Sequence, residues 1–512
     1  MTILSSKSNA YTTRTTRILS SRQAWQTIAL LVLFILAGFI RLKNIQAPGQ
    51  LVEREYDSAI IARNFYFNDN PEIENWRKEM VHTLRERQFI LEPPLNEYLV
   101  SLIFRLAGRE ELWFARPVTS LFWLIGGVFL YLITRYLLAA GEAFIATVYY
   151  LLTPAGILTS RSFQPDALMM MLFLISLYGI IQYFARPSTP RLLIAAGLTG
   201  LTLLLRPLVL FALLSVFLGL SIHSARTWKV IFQRHFISFV LISLALPAAY
   251  YGNGVFISGF LREKIGMSFQ LYLYLRREFW ENWFFMAINE VGFTAFLAAL
   301  AGFWLIRKQL AQATLLSLLA GYILFAFTFN HHISTHPYYH LQLIPLAGIC
   351  SAPLLTGLIR TLKDTSPRFW WLPVGASILI SLIFAYKQVN NSLWTQVFET
   401  PQTAKEIGEI VGHSERTVFV AYHYGLPLEY YGEFSGTFWP RKLVYWLVPQ
   451  PGEVEKSVQD RLAEIEFIPE YFVITNFAEY ASHHQDLRAY LEMSCAQLAQ
   501  TDRYLIYHVC QQ

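Results

Sequence analysis

The segment AWQTIALLVLFILAGFI, residues 24–40, runs into Arg41-Leu-Lys43 and, ten residues later, into Glu53-Arg-Glu-Tyr-Asp57. The apolar run is long enough to start a membrane-spanning helix, and Arg14, Arg17 and Arg22 precede it. A cleavable signal peptide would have a shorter apolar core and a small-residue exit. Here the exit is basic, so the run reads as an uncleaved first span with its amino end in the cytoplasm. Just past it come three carboxylates and a cation in five residues. The chain is 54 % hydrophobic and only 15 % charged, so charge placed there carries information.

Working outward, apolar runs recur near 24–42, 113–134, 143–160, 166–184, 191–206, 207–222, 236–250, 286–306, 312–330, 339–358 and 370–387. The connections at Arg186 to Arg191, Arg226 to Arg234, Arg307-Lys308 and Arg360 to Arg368 are basic. They alternate with connections that hold Asp166, residues 251–285 and the histidines of 331–340. The positive-inside rule puts the basic set in the cytoplasm and the other set outside. Residues 95–107 threaten the parity. That run is too short for the ~20 apolar residues of a span and contains Asn96, Glu97, Ser101 and Arg105, so it reads as a helix that does not cross.

The result is an all-α polytopic membrane protein of about 11 spans with a small α/β extracytoplasmic C-terminal domain. Residues 1–23 form a cytoplasmic tail and 24–389 the membrane domain, with outer loops 43–94 and 251–285. In 390–512, Thr417 to Ala421, Tyr471 to Thr475 and Tyr504 to Val509 read as strands and His483 to Met493 as a helix. The net charge of +6 sits mostly in short connections, where orientation explains it, so no nucleic-acid partner is expected. Three cysteines exclude a disulfide framework and a CxxC metal motif; Cys495 and Cys510 could pair if the C-terminal region is exported.

The residues able to carry chemistry lie at span ends. Glu53, Glu55 and Asp57 open the first outer loop, Glu92 stands before Pro93-Pro94, and Asp166 begins a span. One carboxylate at a helix start only complements the dipole. Several on one face can deprotonate an acceptor hydroxyl or hold a metal beside a phosphate. His332 and His336 have i, i+4 spacing, but no H-E-x-x-H glutamate lies between them. His336, Tyr338 and Tyr339 suit a sugar or lipid head group by stacking and hydrogen bonding. Arg161, Arg262, Lys264, Arg276 and Arg277 oppose the positive-inside trend, as an anionic lipid phosphate would require.

Four of these stretches, in order, resemble glycosyltransferase family 39, which includes dolichyl-phosphate-mannose protein mannosyltransferases and lipid A aminoarabinose transferases. They are the acidic run leading into Ala59-Ile-Ile-Ala-Arg63, Glu92-Pro-Pro-Leu95, Arg161-Ser-Phe-Gln-Pro-Asp166, and His336-Pro-Tyr-Tyr-His-Leu-Gln-Leu-Ile-Pro345. The resemblance spans roughly residues 24–350. It implies the glycosyltransferase C fold, a polyprenyl-phosphate sugar donor and inverting transfer on the extracytoplasmic face of the plasma (inner) membrane. The acceptor would be a protein, lipid or glycan, with no metal or other cofactor. By position, Glu55 matches the general base and Asp166 the second acidic residue. The family often has Asp-Glu where this chain has Arg54-Glu55, which leaves Glu53, Glu55 and Asp57 open as the base. Arg54 beside them is expected to lower their pKa values. The rival readings are a secondary transporter, for which the sequence shows no matching halves, and a flippase or ligase of lipid-linked glycans.

Overall fold

The computed structural model describes residues 21–46, 52–88, 91–262, 269–393, 400–440 and 456–509. Among them, seven helices are long and apolar enough to cross a membrane: Ala24–Leu42, Leu112–Leu137, Asp166–Ala185, Pro207–Ala225, Arg234–Ile257, Gln309–Thr328 and Leu343–Thr365. Two bent pairs, Ala140–Leu152 with Pro154–Ser160 and Arg277–Val291 with Phe293–Phe303, pass the same test jointly. Two shorter apolar helices, Thr189–Leu205 and Trp371–Phe384, complete the set. Each apolar run named from the sequence falls on one of these, so the protein is a multi-pass membrane protein with about the expected number of crossings.

The breaks have local causes. Pro154 takes the first helical position after Thr153 and the span bends there by 60°. Gly292, at φ 88°, separates the other pair, which bends by 88°. Arg206 precedes Pro207 and is held extended at φ −149°, ψ 94°, ending one helix before the next begins. Close helix contacts fall on small residues: a Cβ on Gly302 would lie 2.2 Å from the Cys350 carbonyl oxygen.

The acidic run is helical, not a loop. Val52–Asn68, Asn75–Arg87 and Leu95–Ala107 form a compact helical layer whose core holds Ile60, Phe67, Leu84, Val100 and Phe104. Leu95–Ala107 is not among the helices apolar enough to cross; it packs on Val52–Asn68 and buries Asn96 and Glu97.

The C-terminal region carries a five-stranded sheet: β1 (Thr417–Val420), β2 (Gly436–Phe438), β3 (Tyr471–Ile474), β4 (Cys495–Gln500) and β5 (Leu505–Val509), in the order β2-β1-β3-β5-β4. β2, β1 and β3 are parallel, whereas β5 and β4 run antiparallel. The helix expected at 483–493 is Gln485–Ser494. Cys495 stands opposite Val509, and Cys510 lies outside the described residues, as do residues 1–20.

This domain docks on the acidic helical layer. Tyr430 belongs to the layer's core. Arg63 donates to the Tyr430 carbonyl oxygen, lies 3.7 Å from that ring's centre and pairs with Glu110 at 2.6 Å. Arg77 Nε donates to Glu433 Oε2 at 2.7 Å, and its Nη2 pairs with Oε1 of the same carboxylate. Burial pushes the Glu433 carboxyl up, but Arg77 and Arg63 together hold it below its ordinary value. The acidic helix, the Asp166 connection and the C-terminal domain thus share one side of the membrane domain.

Candidate active site

The helix Val52–Asn68 turns its acidic run in three directions, since successive residues of an α-helix point about 100° apart. Glu55 faces inward and is 2 % exposed. Its Oε1 accepts from Arg116 Nε at 3.1 Å and from the Phe163 backbone N–H at 3.2 Å, and its Oε2 accepts from Arg116 Nη2 at 3.5 Å. Arg116 also donates to the Ile45 carbonyl oxygen. Glu55 therefore fastens the acidic helix to the Arg161–Asp166 connection, with both oxygens engaged. Glu55→Gln keeps an acceptor but removes the carboxylate charge paired with Arg116. Thermal unfolding of purified protein in detergent should show a loss of about 1–3 kcal/mol, with turnover of the folded fraction nearly unchanged.

Glu53 and Asp57, one turn apart, face the C-terminal domain. Glu53 is exposed and 3.8 Å from His423. Asp57 is half-buried, and burial pushes its carboxyl up to about 6, outweighing Arg54, which pulls it down, with Glu53 raising it further. The sequence expectation that Arg54 sets these carboxylates low therefore fails at Asp57, because desolvation is the larger effect. Across the interface, burial raises Glu429 to about 8 although it accepts from the Gly436 backbone N–H at 3.1 Å.

Arg54 points a third way, over the ring of Tyr338 at 4.9 Å. Tyr338 and Tyr339 line a cleft with Asp166, Arg206, Phe325 and Gln342. Asp166 is 1 % exposed and accepts from Arg206 Nη2 at 3.1 and 3.3 Å. Arg206 Nη1 pairs with Glu92 Oε1, and its guanidinium lies 5.7 Å from the Tyr338 ring centre. The extended backbone at Arg206 and the Pro93-Pro94 step before Leu95–Ala107 bring these charges together from separate connections. His336, exposed at the mouth, has its ring centre 5.2 Å from that of Tyr338, the two rings tilted by 50°. The structure thus assembles Glu92, Asp166, His336, Tyr338 and Tyr339 around Arg206. Glu53 and Asp57 face the C-terminal domain beside this assembly, and Glu55 lies behind it.

Among the described residues, the outer arginines do not line the cleft. Arg161 donates to the carbonyl oxygens of Ile40 and Lys43 at 3.2 and 2.9 Å, clamping the end of the first span. Arg277 pairs with Glu281 on an exposed helix face, and Arg262 and Arg276 are also exposed. Lys264 lies outside the described residues. In this structure Arg161 thus clamps the fold, and the other described positions of this set sit at the surface. Arg116 and Arg206 were not singled out as site residues from the sequence; the available signal was an arginine inside or between apolar runs, where an unpaired charge is costly.

Beside the cleft, an apolar cavity of about 600 Å³ opens between the bent pair Arg277–Phe303 and the helices Gln309–Thr328 and Leu343–Thr365. Its walls include Trp280, Trp283, Phe284, Leu319 and Leu346. Cleft and cavity share Gln309–Thr328 and the segment after Tyr338. Among the described residues, no group of three His, Cys, Asp or Glu side chains is placed to hold a metal.

Residues 91–251, which include Glu92, Asp166 and Arg206, match the family model described as dolichyl-phosphate-mannose-protein mannosyltransferase. No curated protein matches the chain. Among solved structures, the chain is similar to ArnT from Cupriavidus metallidurans in its apo state. The TM-score is 0.60 at 14 % identity, over 95 % of this chain and 98 % of that one. The same protein bound to undecaprenyl phosphate gives 0.58 at 14 % identity, over 94 % and 98 %. AglB, the oligosaccharyltransferase of Archaeoglobus fulgidus, in complex with an inhibitory peptide and a dolichol-phosphate, gives 0.51 at 11 % identity, over 96 % and 75 %. The spans, the helical layer above them and the C-terminal domain together have the glycosyltransferase C fold of these structures.

Proposed function

We propose that the protein is a membrane glycosyltransferase that moves a sugar from a polyprenyl-phosphate donor to an acceptor hydroxyl, with inversion, on the extracytoplasmic face. The observation that carries this reading is the cleft itself. Buried Arg206 and Asp166 and partly buried Glu92 meet Tyr338 and Tyr339 at the ends of membrane helices, next to an apolar cavity able to take a lipid chain. The fold is shared with proteins whose structures hold undecaprenyl phosphate or dolichol-phosphate, which supports the same donor class here. The basic connections lie on the opposite side from the cleft, so positive-inside orientation puts cleft and C-terminal domain outside the cell membrane.

In this reading the acceptor hydroxyl gives its proton to a carboxylate as its oxygen attacks the anomeric carbon, and the carbon–phosphate oxygen bond breaks to release polyprenyl phosphate. Glu55 is committed to Arg116, and Glu92 and Asp166 to Arg206. Asp57, with a proton affinity near neutrality, is the carboxylate best suited to act as base. Glu92 and Asp166 fix Arg206, whose charge faces the departing phosphate.

The experiment is deletion of the gene, followed by mass comparison of surface lipids, glycans and proteins. The expected result is loss of one sugar increment from one acceptor class, with accumulation of a polyprenyl-phosphate sugar. Unchanged glycans with altered solute uptake would instead make the protein a transporter. Retention of whole lipid-linked glycans on the cytoplasmic leaflet would make it a flippase.

A further inference from the structure

Two buried side-chain polar atoms at the cleft have no hydrogen-bond partner, Gln342 Oε1 in its wall and Arg54 Nη1 on its cation-bearing rim, and only the second is a donor on a charged group. The Arg206 guanidinium divides its donors between Glu92 and Asp166, so two negative charges there face one positive charge. Arg54 lies on the same tyrosine ring as Arg206, 4.9 Å from its centre against 5.7 Å. Its Nη1 is buried and has no hydrogen-bond partner. Of its acidic neighbours on the helix, Glu53 is turned toward His423 and Glu55 onto Arg116, while Asp57 is close enough to feel its charge but makes no hydrogen bond to Nη1. A buried guanidinium donor left unmade costs free energy unless a ligand satisfies it.

We infer that Arg54 is a ligand-binding residue that grips a phosphate group at the mouth of the cleft, at the same Tyr338 ring that Arg206 approaches. The inference rests on the polyprenyl-phosphate reading above and deepens it, by moving phosphate capture from the outer arginines to a residue of the acidic helix. The chemistry agrees: a planar guanidinium with an unpartnered N–H matches phosphate oxygens, and its positive charge adds to that of Arg206 among the carboxyl groups around the cleft. The same neighbourhood explains why Arg54 interrupts a run of carboxylates. A carboxylate at this position would add a third negative charge to the cleft.

The test uses the full chain purified in detergent, with farnesyl phosphate, farnesol and inorganic phosphate as probes. Removing Arg54 should weaken farnesyl phosphate binding roughly 10–100-fold, the effect of losing one charge-assisted hydrogen bond to phosphate. Farnesol binding should not change, Arg54→Lys should fall between wild type and Arg54→Ala, and Arg277→Ala should match wild type. Competition by inorganic phosphate that is also lost in Arg54→Ala would support the anion site and assign it to phosphate regardless of the lipid. If wild type binds farnesyl phosphate and Arg54→Ala and Arg54→Lys both bind it equally well, Arg54 is not the phosphate ligand and the donor reading stands. If wild type binds neither phosphate probe, the donor reading fails and this inference with it. A poorly folded Arg54→Ala is recognised by its unfolding profile, and Arg54→Lys then decides the matter.

Discussion

Asp57→Asn is expected to lower turnover about 10²–10⁴-fold, the usual contribution of a general base, with little change in the amount of folded protein. The wild-type pH dependence should show the same group. Burial raises the Asp57 carboxyl to about 6, so the base form prevails above pH 6, and the rate should fall about tenfold per unit below it. The groups acting on this titration are Glu53 and Arg54 on the same helix and Glu429 from the C-terminal domain. Initial rates of polyprenyl phosphate release across pH 5–8, for wild type and Asp57→Asn, supply the measurement. A wild-type profile flat through pH 6, or an Asp57→Asn variant as fast as wild type, would remove Asp57 from the chemistry. A folded Glu55→Gln that loses turnover would restore Glu55.

Arg206→Ala is expected to be the most damaging single change in the membrane domain. It leaves Asp166 and Glu92 facing each other without their cation in a site from which water is largely excluded. Breaking a buried pair in this way costs about 3–5 kcal/mol. Thermal unfolding in detergent should show that loss, and turnover should drop to background. Arg206→Lys keeps the charge but cannot form two parallel forks, so it should recover part of the stability and little of the activity. If Arg206→Ala unfolds like wild type, the carboxylates are not held by this residue and the cleft is organised differently.

Much of the membrane domain can be read directly from hydropathy, because a helix in lipid must satisfy its own backbone and so needs a long apolar run. The short run 95–107 was separable for the same reason: with Asn96, Glu97 and Arg105 it is too polar and too short, and it lies on the acidic helix. The polar groups that meet at the cleft were also visible as motifs at span ends, since Glu92, Asp166 and His336 to Tyr339 are each set beside a proline that fixes the chain direction. What hydropathy hides is rotation. Treated as a loop, Glu53 to Asp57 looks like one acidic cluster. As a helix it sends Glu55 to Arg116, Arg54 to Tyr338, and Glu53 with Asp57 to the C-terminal domain. The outer arginines misled for a related reason: an excess of positive charge says which face a loop occupies but not what it touches, and Arg277 finds its partner one turn away in Glu281. Strands β2 and β4 escaped because Gly436–Phe438 is too short to show alternation and Cys495–Gln500 has no β-branched or aromatic residue.

Bond transfer from a lipid phosphate can be followed in a reconstituted membrane. Purified protein in vesicles made from lipids of the deletion strain, which retain the accumulated donor and the unmodified acceptor, should release polyprenyl phosphate in step with the appearance of one glycosylated acceptor. Arg206→Ala should do neither. Donor that crosses the bilayer with its sugar still attached, or polyprenyl phosphate release without any glycosylated product, would contradict the account.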